Sequence, residues 1–253
     1  MSLFRALTRR WRKAIIAGAA TVMTAAAAPA VAHADPVHHY YLEVGGTGSG
    51  APAPDCTRSY QFANKHLDGG IAVPVCYPAS AGPWLNGRNQ YPDPSAPTFD
   101  ASVREGYRNL LAAAEDTHRR DPNARLTLVG YSQGAQVADM VLQTIAGGGT
   151  GIPRSLVDGK LYADPMQPGT GIWAKLPKGW SALGFTSPGA GPEKFDGIPV
   201  QRFCIRTDGV CDATAVTSLL GFFAQHPKYW QDGNVMTKTI GHDGGEGVVW
   251  YES

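Results

Sequence analysis

Several things are scarce in this sequence of 253 residues, and each shortage removes a class of function. It holds no Gly-Lys-Ser/Thr and no Gly-x-Gly-x-x-Gly, so neither a phosphate-cradling loop nor a nucleotide cofactor is expected. Past residue 34 it has no Lys/Arg run longer than a pair. Nucleic acid, which needs a basic stripe, is therefore not an expected partner. Only four cysteines occur, Cys56, Cys76, Cys204 and Cys211, at spacings that fit no zinc pattern. Neither a metal nor any other cofactor is called for. Beyond the N terminus no apolar run is long enough to cross a bilayer.

What is present begins with a leader. Arg5, Arg9, Arg10, Arg12 and Lys13 precede an apolar, Ala-rich run, Ala14 to Val31, and a small-x-small site at Ala32–Ala34. Residues 1–34 read as a secretory signal peptide. The Arg9-Arg10 pair hints at the twin-arginine route, although Arg12 stands where that route usually has an apolar residue. An uncleaved anchor is the alternative, but Ala and Gly dissolve poorly in lipid. Residues 35–253 then form one domain with a sizeable core. Removing five basic and no acidic residues takes the net charge from +1 to −4. Export to an oxidising compartment implies two disulfides, for which three pairings exist. Cys56–Cys76 and Cys204–Cys211 are preferred because both close short loops, adding about 3 and 2.5 kcal/mol by chain entropy.

Strand patterns alternate with helix patterns. Strands are expected at 38–44, 71–77, 125–129, 160–164 and 198–205. Val103, Tyr107, Leu110, Leu111 and Ala114 share one helix face, with Ser102 and Glu105 as a capping box near its start. Further helices are expected at 58–67, 134–145 and 213–225. Such alternation predicts an α/β fold, a mostly parallel central sheet covered by helices on both faces. Residues 45–50, Gly-Gly-Thr-Gly-Ser-Gly, read as a flexible loop after the first strand.

One pentapeptide, Gly130-Tyr131-Ser132-Gln133-Gly134, carries chemistry. In a chain with 31 glycines, a Gly-x-Ser-x-Gly arises by chance in about one such chain in five, so context decides. Here a buried strand precedes it and a helix follows, which is the setting of a nucleophile elbow. The turn is tight enough that side chains at Gly130 and Gly134 would collide with each other or with the neighbouring strand. Ser132 is thus the candidate nucleophile.

A serine needs a base, and the base an orienting carboxylate. Only His226 and His242 lie beyond Ser132. His226 precedes Pro227 at a helix end and is the first candidate; His242, in a Gly-rich loop, stays open. Asp208, between Cys204 and Cys211, is the first candidate acid, with Asp164 and Asp212 as rivals. The oxyanion donors are expected from the Gln133 N–H and from the 45–50 loop, where Gly46 or Thr47 would supply an N–H and Thr47 its hydroxyl.

Gly130–Ala135, "GYSQGA", resembles the elbow of cutinases. "CIRTDGVC" and His226-x-x-Tyr229 resemble the cutinase acid and histidine segments. "YYLEVGGTGSG" and "GGIAVPVCYPAS" resemble the PE-PPE domain of mycobacteria and relatives, a cutinase-like serine α/β hydrolase of the cell envelope. The similarity runs from about Tyr40 to Tyr229. It implies a serine esterase or lipase acting on acyl esters or lipids, with Ser132, Asp208 and His226 as triad and Thr47 at the oxyanion position. It also implies secretion or association with the cell envelope. Two other readings stand: an acyltransferase that moves fatty acyl groups onto trehalose-type glycolipids, and an envelope protein that binds lipid or glycan without turnover. The Gly/Pro-rich stretch from Pro165 to Pro192 is expected to cover the site or shape an acyl pocket. Nothing in the sequence sets the oligomeric state.

Overall fold

The computed structural model describes residues 37–88 and 91–252. The leader assigned to residues 1–34 lies outside them. In chain order the main elements are β1 (His39–Val44), β2 (Ile71–Pro74), α1 (Phe99–Arg120), β3 (Arg125–Tyr131), α2 (Gln133–Ala146) and β4 (Val157–Tyr162). A short hairpin of β5 (Ser181–Ala182) and β6 (Phe185–Thr186) follows, then β7 (Val200–Ile205), α3 (Ser218–Ala224), α4 (Val235–Thr239) and β8 (Gly247–Tyr251).

Six strands form one sheet in the order β2-β1-β3-β4-β7-β8, and every neighbouring pair is parallel. Strand alternation splits the apolar side chains between two cores. Leu42 and Val44 of β1 and Leu126 and Leu128 of β3 face α1 and α2, packing with Val103, Leu110, Val137 and Leu142. Their neighbours Tyr41, Val129 and Tyr131 face the other side, where Tyr60, Val235, Met236 and Ile240 close the layer. Each fully buried leucine of the first core contributes about 1.5–3 kcal/mol by leaving water. Pro74 ends β2, and β2 is an edge strand, where a missing N–H is tolerated.

Cys56 pairs with Cys76 and Cys204 with Cys211. Other details depart from expectation. The cap of α1 is Thr98, whose side chain accepts from the Ala101 N–H at 3.2 Å. Ser102 lies inside the helix, buried, where its Oγ accepts from the Ser80 N–H. The helix expected from residue 213 starts only at Ser218. Before it, the Ala213 N–H donates to Thr170 O, and Thr214 Oγ1 donates to Asp212 Oδ1. Side-chain and long-range bonds there outcompete the helix ladder. The 58–67 segment forms two short 3-10 turns, Asp55–Tyr60 and Ala63–His66. Strand β8 and the short α4 were not foreseen.

The 45–50 loop is not loose. Tyr60 Oη donates to Val44 O and Tyr77 Oη to Gly45 O, at 2.9 and 2.8 Å. The Gly48 N–H bonds Ala79 O, and the Gly50 N–H bonds Gly87 O. A β-carbon on Gly45 would lie 2.4 Å from Cys56 O, and one on Gly50 2.3 Å from Pro78 O. Gly45 and Gly50 thus serve close packing beside the Cys56–Cys76 bridge, while Gly48 takes a positive φ of 94°.

Candidate active site

Ser132 sits between β3 and α2 with φ 57° and ψ −121°. A non-glycine residue at positive φ costs about 1–3 kcal/mol and persists only when its surroundings impose it. They do so here. The Ser132 N–H donates to Tyr162 O on β4, and its carbonyl accepts from the Ala135 and Gln136 N–H groups. Glycine is required on both sides. A β-carbon on Gly130 would stand 2.3 Å from Gly134 O, and one on Gly134 2.3 Å from Val44 O. The two side chains would thus meet the elbow itself and strand β1.

Ser132 Oγ lies 2.9 Å from His226 Nε2, and His226 Nδ1 lies 2.9 and 3.1 Å from the two carboxylate oxygens of Asp208. With Nδ1 against a carboxylate, the ring proton belongs on Nδ1, which leaves Nε2 to accept from the serine hydroxyl. All three side chains are buried. Asp208 Oδ1 also accepts from the Val210 N–H at 3.1 Å. The imidazole stacks on Tyr131 and on Phe222, at centroid distances of 4.9 and 5.0 Å, and Tyr131 Oη donates to His226 O at 2.7 Å.

Tyr229, three residues on, accepts from the Ile205 N–H with its hydroxyl at 2.7 Å, at the base of the loop that carries Asp208. Burial first, and the Asp208 charge second, hold the Tyr131 and Tyr229 phenols well above their ordinary range. Both stay neutral at physiological pH.

The rival residues are elsewhere engaged. Asp164 Oδ2 accepts from Arg202 Nε at 2.7 Å, and Asp212 Oδ2 accepts from the Thr207 N–H at 2.9 Å. The His242 carbonyl accepts from Lys160 Nζ, away from Ser132.

Ser132 and His226 open on a cavity of about 420 Å³. Its walls are mainly apolar: Ala81, Leu85, Phe99, Ile172, Trp173, Phe185 and Phe222, with Pro165 from the start of the Pro165–Pro192 stretch. Thr47 and Gln133 line it beside Ser132. The 45–50 loop presses on the serine, since a β-carbon on Gly46 would lie 3.1 Å from Ser132 Cβ. Gln133 opens α2, so its N–H belongs to the unpaired first turn of a helix, where negative charge is favoured. Its side chain does something the sequence did not disclose. Nε2 donates to Ser80 O at 2.9 Å, and Oε1 accepts from Ser102 Oγ at 3.4 Å, tying α2 to α1 and to the segment after β2. The stacking of Tyr131 on the imidazole was equally hidden, because it joins residues more than ninety apart.

An all-parallel sheet with a serine at a strained strand-to-helix turn, a histidine within bonding distance and a carboxylate behind it defines a serine α/β hydrolase. The family model described as Cutinase matches residues 59–239. The chain belongs to the cutinase family. It is 26% identical over 197 residues to an uncharacterized PPE family protein of Mycobacterium tuberculosis, covering 72% of this chain and 28% of the relative. The chain thus spans under a third of that relative's length. Among solved structures, a cutinase-like protein from Cryptococcus sp. aligns over 81% of this chain and 91% of its own, with 19% identity and a TM-score of 0.51. The catalytic core domain of acetyl xylan esterase from Trichoderma reesei aligns over 78% and 93%, with 22% identity and a TM-score of 0.48.

Proposed function

We propose that the protein is an exported serine esterase or lipase that cleaves acyl esters with Ser132 as nucleophile, His226 as base and Asp208 as its orienting acid. The observation that carries this reading is the continuous Ser132–His226–Asp208 chain of hydrogen bonds opening on an apolar cavity. Ser132 Oγ attacks the ester carbonyl while His226 Nε2 takes its proton. Asp208 holds the ring in the right tautomer and offsets the charge of the imidazolium. The Gln133 N–H and the Thr47 hydroxyl face the oxyanion, where losing one donor costs about 3–4 kcal/mol in comparable enzymes. His226 then hands its proton to the leaving alcohol, and water resolves the acyl-enzyme by the same steps in reverse.

The cavity would hold the acyl chain, and its wall residues favour hydrocarbon over polar chains. Two disulfides support export to an oxidising compartment, at the cell surface or envelope. The test is hydrolysis of p-nitrophenyl esters from acetyl to palmitoyl by residues 35–253 and by their Ser132→Ala variant. Activity lost on substitution supports the reading, and equal activity in both proteins refutes it. Product analysis with trehalose present separates water from a sugar hydroxyl as the acceptor.

A further inference from the structure

A second group of charges lies behind the cavity. Arg202 on β7 is 1% exposed, and Asp139 on α2 and Asp164, just after β4, are both 0% exposed. Arg202 Nη2 donates to Asp139 Oδ2 at 2.6 Å, and Nε donates to Asp164 Oδ2 at 2.7 Å. Asp164 Oδ1 accepts from the Met166 N–H at 2.9 Å. Stability is a poor reason for such a group, because apolar residues of equal volume usually do as well. Its position offers a better one.

The excursion 165–192 leaves the sheet at Asp164, and its far end returns to the same charges. The Gly191 N–H donates to Met166 O at 2.7 Å. A β-carbon on Gly191 would lie 2.7 Å from Asp139 Oδ2 and 2.9 Å from Arg202 Nη2. Between these two ends, Pro165, Ile172, Trp173 and Phe185 form one wall of the cavity. Trp173 is fixed from both sides. Its N–H bonds Pro165 O at 2.9 Å, and its Nε1 donates to Gln136 Oε1 of α2 at 2.7 Å. One guanidinium therefore bonds the helix that begins after Ser132 to the start of the wall, and the far end of the wall packs against it at Gly191. A forked donor can do this; a single ammonium cannot.

We infer that Arg202, with Asp139 and Asp164, is a positioning residue for acyl-chain selectivity: it sets the wall formed by residues 165–192 without touching the reacting atoms. The inference rests on the reading of Ser132 as nucleophile and of the cavity as the acyl site. Burial, reinforced by the Asp164 charge and opposed by Arg202, pushes the Asp139 carboxyl up to about 8. Its other oxygen, Oδ1, accepts from Gln143 Nε2 at 2.6 Å.

The test compares kcat/KM for octanoyl and acetyl p-nitrophenyl esters in wild type, Arg202→Lys and Gly191→Ala. The rate at which a small fluorophosphonate labels Ser132 is measured beside it. Arg202→Lys removes the fork and keeps the charge; Gly191→Ala pushes on the same junction and leaves the charges alone. In both, the octanoyl-to-acetyl ratio falls about tenfold or more, because only the longer chain reaches the wall and each methylene there is worth about tenfold or more. The labelling rate stays within about threefold of wild type. If Arg202→Lys does not fold, Gly191→Ala decides. A ratio unchanged in the folded variants overturns the inference, and so does labelling that falls in step with both esters. A wild type that is neither labelled nor active overturns the reading of the site itself, and this inference with it.

Discussion

Replacing Glu43 by glutamine should flatten the pH dependence of folding stability. Glu43 is the penultimate residue of β1, two residues before the loop that presses on Ser132, and it is 0% exposed. Asn64 Nδ2 donates to its Oε2 at 3.2 Å, while Oε1 has no partner. Burial pushes the carboxyl up to about 8 from 4.5, and the neighbouring Asn64 and Thr57 side chains offset only part of that. The folded state therefore keeps a proton that the unfolded chain releases above about pH 4.5. Stability is highest below that value and declines as pH rises, until the folded group also ionises near pH 8. Between pH 5 and pH 8 this amounts to about 4 kcal/mol, at about 1.4 kcal/mol per pH unit. Urea unfolding at pH 5 and pH 9 measures it directly. The wild type should lose about 4 kcal/mol more than Glu43→Gln across that span. Comparing the two proteins cancels the other titrating groups, such as Asp139. Parallel losses in both would refute the argument that Glu43 is held neutral by burial.

Other substitutions report on the site's scaffold. Gly134→Ala puts a methyl within 2.5 Å of the carbonyl oxygens of Val44 and Gly45, so it should cost about 1–3 kcal/mol. By moving α2 off β1 it should also cut kcat by about tenfold or more, read from ester kinetics and a thermal melt. Tyr229→Phe leaves the Ile205 N–H buried without its partner and should cost about 1–3 kcal/mol in denaturant unfolding. Cys204→Ser with Cys211→Ser opens the loop that carries Asp208. It should lower stability by about 2.5 kcal/mol, with activity failing at a correspondingly lower temperature.

Local rules carried the sequence reading where they could. Helix α1 was visible because Val103, Leu110 and Ala114 repeat at helical spacing, and all three are buried against α2 and the sheet. The elbow was visible because Gly130 and Gly134 bracket a serine between a buried strand and a helix, and both glycines sit against backbone oxygens. The two disulfides followed from short spacings. The order of serine, acid and histidine reduced the bases to two, and only the fold brings His226 rather than His242 to Ser132.

What stayed hidden depends on partners far along the chain. The 45–50 loop looked flexible, yet Tyr60 and Tyr77 pin it from outside. Arg202 looked like one more strand residue, and its two carboxylates come from 63 and 38 positions away. The start of α3 was misplaced because Thr170 and Asp212 take up the bonds that a helix would need. Strand β8 is a short edge strand, half-buried, with too few residues to show an alternation.

Parallel kinetics of Ser132→Ala, His226→Ala and His242→Ala on a p-nitrophenyl ester ask whether Ser132, His226 and Asp208 act as one unit. If they do, kcat falls by about 10⁴-fold or more in the first two variants and stays within about threefold of wild type in the third. Activity lost in His242→Ala and kept in His226→Ala would contradict this.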